Sequence, residues 1–272
     1  MIQRAIDAAA VYTYFNKTPD KPDEAKSYVF INGSGDNAAP EVITLRNGVS
    51  VYGSIAQTYT KEPEAVKDAN GVMYNNGART FQTSAIKDYI SQVKADRPGL
   101  AAKTTKRTQI AGIATMTTDY SLGALVDGFE IKSAKALTAP AVDITDDIDS
   151  LVLRNMMIDH NTVNADDKGT GHPVVNLQHG LLYNALVYAN QVVANQPIVS
   201  VGANGTMLNC TVVADVTGQT TVSNAGTVIN GLDYNSADKA VDTSGSGTYT
   251  NCYAATGNPF APYLRSDGNV YN

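Results

Sequence analysis

Only three histidines occur in the 272 residues, His160, His172 and His179, so any imidazole acid or base in this chain must be one of them. His160 lies in Asp159-His160-Asn161, and His172 closes the polar stretch Asp166-Asp-Lys-Gly-Thr-Gly-His172. Both read as loop residues able to meet a ligand, whereas His179, directly before Gly180, reads as a structural turn residue. Carboxylates offer the other chemistry. The acidic run Asp143-Ile-Thr-Asp-Asp-Ile-Asp149 has the oxygen ligands that calcium takes, but its uneven spacing lacks the loop signature of a dedicated site and reads as a solvated turn. Paired-carboxylate hydrolysis needs two acids about 5 to 9.5 Å apart, so Asp143 would need a loop partner such as Asp159 or Asp119. Lys103, Lys106 and Arg107 form the one compact basic cluster, read as a solvated strand edge with glycan contact as the alternative. There is no nucleophile elbow, phosphate loop, zinc spacing or dinucleotide fingerprint. No catalytic residue is therefore assigned, and neither a metal nor another cofactor is expected.

The elements that must hold these side chains show up as a repeat. Gly180, Gly205, Gly226 and Gly247 each precede an Asn by four residues, namely Asn184, Asn209, Asn230 and Asn251, at steps of 25, 21 and 21 residues. Each copy reads as a short strand, an Asn bend and a second strand, with a third β-prone string upstream, as in Val174-Val-Asn-Leu177 and Ile198-Val-Ser-Val201. Asn tolerates the left-handed backbone of a sharp bend, and its amide can bond the Asn one coil away. Asn155, Asn184, Asn209, Asn230 and Asn251 are accordingly expected to form an internal polar ladder. With Gly128 at the bend position of an earlier coil and Glu41–Gly53 as a first one, the count is about seven coils.

The strings Ile2-Gln-Arg-Ala-Ile-Asp-Ala-Ala9, Tyr28-Val-Phe-Ile-Asn32, Leu45-Arg-Asn-Gly-Val-Ser-Val-Tyr-Gly53 and Leu125-Val-Asp-Gly-Phe-Glu-Ile131 resemble the pectin-lyase-like superfamily over most of the chain. That resemblance implies a single-stranded, right-handed parallel β-helix whose first helix, through Ile2, Ala5, Ile6 and Ala9, caps the open end. It specifies little about activity, because the superfamily contains lyases, hydrolases, tailspikes and adhesins. The expected organisation is one domain, 1–272, with a capping helix at 1–16, an insertion at 55–106, the main coils at 107–258 and a C-terminal cover at 259–272. Within the insertion, Ala85, Ile86, Tyr89, Ile90 and Val93 have helical spacing over 81–95.

In the resembled enzymes, substrate lies along the outer face of the first strand of each coil. With Val142, Ile144, Val175, Leu177, Val199 and Val201 taken as inward, the outward set is Asp143, Thr145, Asn176, Gln178, Ser200, Ser223 and Asp242. The candidate substrate-binding residues are therefore Asp143, Asn176, Gln178 and Ser200, with Asp159 and His160 from the adjoining loop. Lyases of this kind use an Arg or Lys base beside a carboxylate-held calcium. No Arg or Lys lies on this face, Arg154 falling on another and Lys132 after a third strand.

A hydrophobic share of 43% supports a continuous core, and 22 Gly suit a turn-rich β chain. The net charge of −6 argues against nucleic acid as a partner, and no apolar run reaches the length of a membrane span. Met1 leads directly into the amphipathic helix rather than into a signal-type segment, so either the native start lies upstream or the chain is cytoplasmic. The resemblance favours a secreted or bacterial surface protein. Cys210 and Cys252 share one phase two coils apart, too far for a disulfide, and read as small core residues. Two functions follow: a non-catalytic module binding polysaccharide or a surface protein, and a polysaccharide lyase or glycoside hydrolase working along the first-strand face. A segment of a longer adhesin is a third reading.

Overall fold

The computed structural model describes residues 1–16, 26–32, 41–55, 66–67, 73–74, 108–115, 122–146, 151–235 and 243–254. The helix expected at 81–95, the cluster Lys103, Lys106 and Arg107, Asp119, Asp242 and the cover at 259–272 lie outside these residues. What is described is a parallel β-solenoid of about six turns with one helix, α1 (Ile2–Asn16), at its start.

Each turn supplies one short strand to each of three faces, and strands stack in parallel on their equivalents from neighbouring turns. The first face runs from Val42–Thr44 through Gly112–Ala114 and Val142–Ile144 to Val222–Asn224 and Thr243–Ser244. The second face runs from Ser27–Asn32 and Val49–Ile55 through Ala124–Asp127 and Leu151–Arg154 to Thr248–Thr250. Two long strands, Val175–Tyr183 and Val199–Leu208, turn the corner between these faces without a break. His179 is therefore a strand residue beside Gly180 (φ 77°), not part of a separate turn. The third face stacks Thr108–Ile110, Phe129–Ile131, Met157–Asp159, Leu186–Tyr188, Thr211–Ala214, Leu232–Asn235 and Tyr253–Ala254.

Period-two alternation sends alternate side chains of each strand inward, and stacking turns those residues into columns. On the first face the column is Ile43, Ile113, Val142, Val175, Val199 and Val222, all buried. On the second it is Val29, Val51, Val126, Leu153, Leu182, Met207 and Val228. β-branched side chains dominate the first column because a pleated surface accommodates their stiff χ1.

The predicted bend asparagines all adopt the left-handed conformation: Asn155, Asn184, Asn209, Asn230 and Asn251 have φ between 51° and 54° where the individual values are 54, 52, 54, 51 and 52. Gly128 holds the same corner in the turn before, at φ 83°. Corner N–H groups from Gly128 to Asn230 donate to the carbonyl just before the next corner, as in Asn155 to Tyr183 (3.0 Å), Asn184 to Leu208 (2.9 Å) and Asn209 to Ile229 (3.0 Å). Side-chain amides add Asn184 Nδ2 to Asn155 Oδ1 (2.6 Å) and Asn230 Nδ2 to Asn209 Oδ1 (2.9 Å). The ladder is not internal, however. Four of the five asparagines are exposed and Asn155 is half-buried, because a left-handed corner aims its own Cβ outward and turns the following residue in. Those following residues include Met156, Ala185 and Cys210, which are buried, and Cys252, which is half-buried. Both cysteines are free, and burial pushes the Cys210 thiol up to about 12.

Helix α1 closes the first turn through Ile2, Ile6, Ala9, Ala10 and Thr13, while Ala5, expected on this face, is exposed. Its polar contacts deal with the strand edge as well. Gln3 Oε1 accepts from the Thr44 N–H (2.6 Å) and Gln3 Nε2 donates to the Thr44 carbonyl (3.1 Å), so a side-chain amide replaces the missing neighbour of Val42–Thr44. Glu41 Oε1 accepts from the Ile2 N–H (2.5 Å) at the helix start.

Because both backbone freedom and the amide contribute at a corner, Asn184→Gly and Asn184→Ala separate them. Alanine should cost roughly 1 kcal/mol more than glycine, the left-handed penalty of an ordinary L-residue, with the difference read from urea unfolding of the two variants.

Candidate functional site

Outside the first-face column runs a parallel polar row. In register across successive turns stand Thr44, Ala114, Asp143, Asn176, Ser200, Ser223 and Ser244. Three of the four residues expected on this face to bind substrate are joined by hydrogen bonds. Asn176 Nδ2 donates to Asp143 Oδ1 (2.8 Å), and Gln178 Nε2 donates to Asn176 Oδ1 (2.6 Å). Ser200 is the strand partner of Asn176 and extends the row by one turn. At the last described turn, Val222 pairs with Thr243 and Ser223 with Ser244, so Ser244 holds the register position of the row.

The position of Gln178 depends on a residue that the sequence reading passed over. A Cβ on Gly202 would fall against the Gln178 carboxamide oxygen and within 2.8 Å of its Cα, so only glycine leaves room for this side chain to lie across the next turn. Glycine spacing was visible in the sequence, but which side chain overlies it depends on strand register.

Asp143 has no carboxylate next to it in the row: its neighbours one turn away are Ala114 and Asn176. Arg154 belongs to the second face, where its Nε donates to buried Asp127 (2.6 Å) and Asn155 donates to the other oxygen of the same carboxylate (2.8 Å). The arrangement at the row is thus one of amides, hydroxyls and a single carboxylate, suited to hydrogen bonding with neutral hydroxyl-rich groups. Among the described residues, no three His, Cys, Asp or Glu side chains converge as metal ligands, and no helix is long and apolar enough to cross a membrane.

Asp159 and His160 form a second, separate cluster at the end of the third face. Neither bonds to Asp143, Asn176, Gln178 or Ser200. Asp159 is buried, and its Oδ2 pairs with His160 Nδ1 (2.5 Å) and with Lys132 Nζ (3.7 Å). His160 is about half-exposed at 53% and sets its ring edge-on to Tyr188, with centroids 5.7 Å apart. The carboxylate holds Nδ1 of a ring that is itself half-exposed, the arrangement of an oriented imidazole base. Lys132 was missed as a partner. It stands one residue past Ile131, which pairs with Ile158, so aligning the third strands in register would have put it beside Asp159. The other loop histidine, His172, lies 3.6 Å from Asp166, whose carboxyl is held low chiefly by the Thr170 backbone N–H.

His160 itself occupies the left-handed region (φ 53°), as does Ala189 one turn later (φ 52°). Such residues persist when their surroundings over-determine them, and here the next residues do so. Asn161 and Asn190 are fully buried, unlike the corner asparagines. Asn161 Nδ2 lies within hydrogen-bonding reach of Ile131 O (3.0 Å), Asp159 O (3.1 Å) and Asn190 Oδ1 (3.0 Å), while Asn190 Nδ2 donates to Ile158 O (2.8 Å). Asn161 Oδ1 accepts from the Ser133 N–H (2.9 Å). This amide pair ties three consecutive turns together directly beneath the Asp159–His160 pair.

Asn161→Ala leaves those buried carbonyls and the Ser133 N–H without partners. It should cost about 3 kcal/mol or more, measurable by urea unfolding, and should abolish the single His160 environment in the imidazole NMR spectrum. Comparison of the chain with protein-family models, with curated proteins and with solved structures finds no match.

Proposed function

We propose that this chain is a secreted or surface-displayed β-helix module of the pectin-lyase-like kind that binds carbohydrate along its first face without catalysing a reaction on it. One observation carries the reading: a hydrogen-bonded row, Asp143–Asn176–Gln178, continued by Ser200 and Ser223, on a flat parallel ladder. Strands in such a ladder repeat every 4.8 Å or so, so donors and acceptors recur at even steps along an extended chain of hydroxyls. Each amide spends one N–H inside the row. The second N–H, the free Gln178 oxygen and the serine hydroxyls remain available to a ligand. A protein partner with an extended polar segment would use the same groups.

A second reading, a polysaccharide lyase or glycoside hydrolase, is favoured by the buried Asp159 that orients a half-exposed His160 beside Lys132. In that reading His160 Nε2 takes a proton and the Lys132 ammonium stabilises nearby negative charge.

Calorimetric titration with a panel of neutral and uronate oligosaccharides tests the first reading. Asn176→Ala should weaken binding of the responding glycan about tenfold, the equivalent of one lost hydrogen-bonded contact. Gly202→Ala, which displaces Gln178 from the adjacent turn, should act in the same direction. Unchanged affinity in both variants refutes binding at this face. Turnover of any of these glycans that disappears in His160→Ala would instead establish the enzymatic reading.

A further inference from the structure

The third-face column contains a residue that its surroundings contradict. Register places Ile110, Ile131, Ile158, Val187, Val212 and Asp233 one above another, all buried in the solenoid interior. Five aliphatic side chains are thus followed by a carboxylate. Asp233 is 0% exposed, and neither of its oxygens has a hydrogen-bond partner. Two interior amides of the same turn are hydrogen-bonded: Asn235 Nδ2 donates to the Val216 carbonyl (2.8 Å), and Asn224 Oδ1 accepts from the Gly226 N–H (2.9 Å). Asp233 alone among the described residues has both carboxylate oxygens buried and unmatched.

We propose that Asp233 makes the last described turns of the solenoid a pH-responsive element, closed when this carboxyl is protonated and loosened when it ionises. Protonated, the side chain is a small, weakly polar core residue stacked on Val212. Ionised, it is an uncompensated charge in an apolar interior, a state relieved only if the Leu232–Asn235 strand and the turn stacked on it separate and admit water. No compensating cation is supplied by the packed strands. Thr211–Ala214, Val222–Asn224, Thr227–Ile229, Thr248–Thr250 and Tyr253–Ala254 contain no Lys, Arg or His. Among the described residues, the titratable groups facing the interior at this level are the thiols of Cys210 and Cys252 and the phenol of Tyr249. Cys210, pushed to about 12, stays neutral throughout the relevant range.

Burial pushes the Asp233 carboxyl from 3.8 up to about 7. Below the lower value, folded and unfolded chains both hold the proton and the end is fully stable. Between the two values the folded chain binds a proton that the unfolded chain has released, so stability falls as pH rises. Above about 7 the loss is complete. The same turn carries Ser223, so loosening reaches the C-terminal part of the first-face row.

Hydrogen exchange of the full chain, corrected for intrinsic rates, tests the proposal. Amides of Leu232–Asn235 and Tyr253–Ala254 should lose about tenfold or more of their protection between pH 5 and pH 8.5, tenfold corresponding to one unit of pKa displacement. Protection of Met157–Asp159 should not change. Asp233→Val should remove the pH dependence. If that variant does not fold, Asp233→Asn, which stays neutral, should remove it too. An Asp233 carboxyl-carbon titration midpoint near 7 in the wild-type chain supports the proposal. A midpoint near the ordinary aspartate value of about 4, or equal protection of the end at both pH values, overturns it.

Discussion

The whole solenoid rests on one backbone device, a corner residue in the left-handed conformation whose N–H bonds the carbonyl before the equivalent corner of the next turn. Asparagine adopts that conformation at little cost, where most L-residues would add about 1 kcal/mol per corner. Repeating the device at Asn155, Asn184, Asn209, Asn230 and Asn251 keeps successive turns in register. Register, in turn, converts scattered valines and isoleucines into continuous columns, and it aligns Asp143, Asn176, Ser200 and Ser223 on the outside. Core and candidate binding face are thus two sides of the same strand ladder.

Polar groups inside this ladder are handled in two ways. Asn161 and Asn190 are buried but saturated, each amide meeting carbonyls of adjacent turns, which makes them internal fasteners at a corner formed by His160 and Ala189 instead of Asn or Gly. Asp233 is buried with neither oxygen hydrogen-bonded to any described residue. Fully satisfied interior amides tighten a structure, whereas an unmatched carboxylate makes the same location sensitive to protonation. The buried amides thus fasten the turns around Asn161 and Asn190, while the Leu232–Asn235 turn is the one conditional on a proton.

Two chemically distinct surfaces result. Along the first face, the Asp143–Asn176–Gln178 hydrogen bonds and the register serines form a row with no Lys, Arg or His among its described members. At the end of the third face, Asp159, His160, Lys132 and Tyr188 combine opposite charges with an aromatic wall. The first arrangement suits recognition of many weak donors and acceptors in sequence, and the second suits handling of a proton at one atom. Their separation follows from topology, because residues one apart on a strand face opposite sides and residues at different corners belong to different faces.

Much of this architecture was legible in the chain itself. The Gly-x-x-x-Asn spacing identified the corners, alternation in Val142–Ile144, Val175–Leu177 and Val199–Val201 identified the inward residues, and their neighbours identified the outward row, because strand periodicity and left-handed bends are local properties of backbone and side chain. What only the tertiary structure decided was everything that depends on one turn lying upon another. It brought the corner asparagines to the outside, buried Asn161 and Asn190, set Lys132 against Asp159, laid Gln178 over Gly202 and left Asp233 in an aliphatic column. Each of those contacts joins residues more than twenty positions apart, and loops of unequal length between turns change the sequence offset from one turn to the next. Local periodicity therefore specifies which way a side chain points along its own strand, while the residue it meets is determined by how the turns stack.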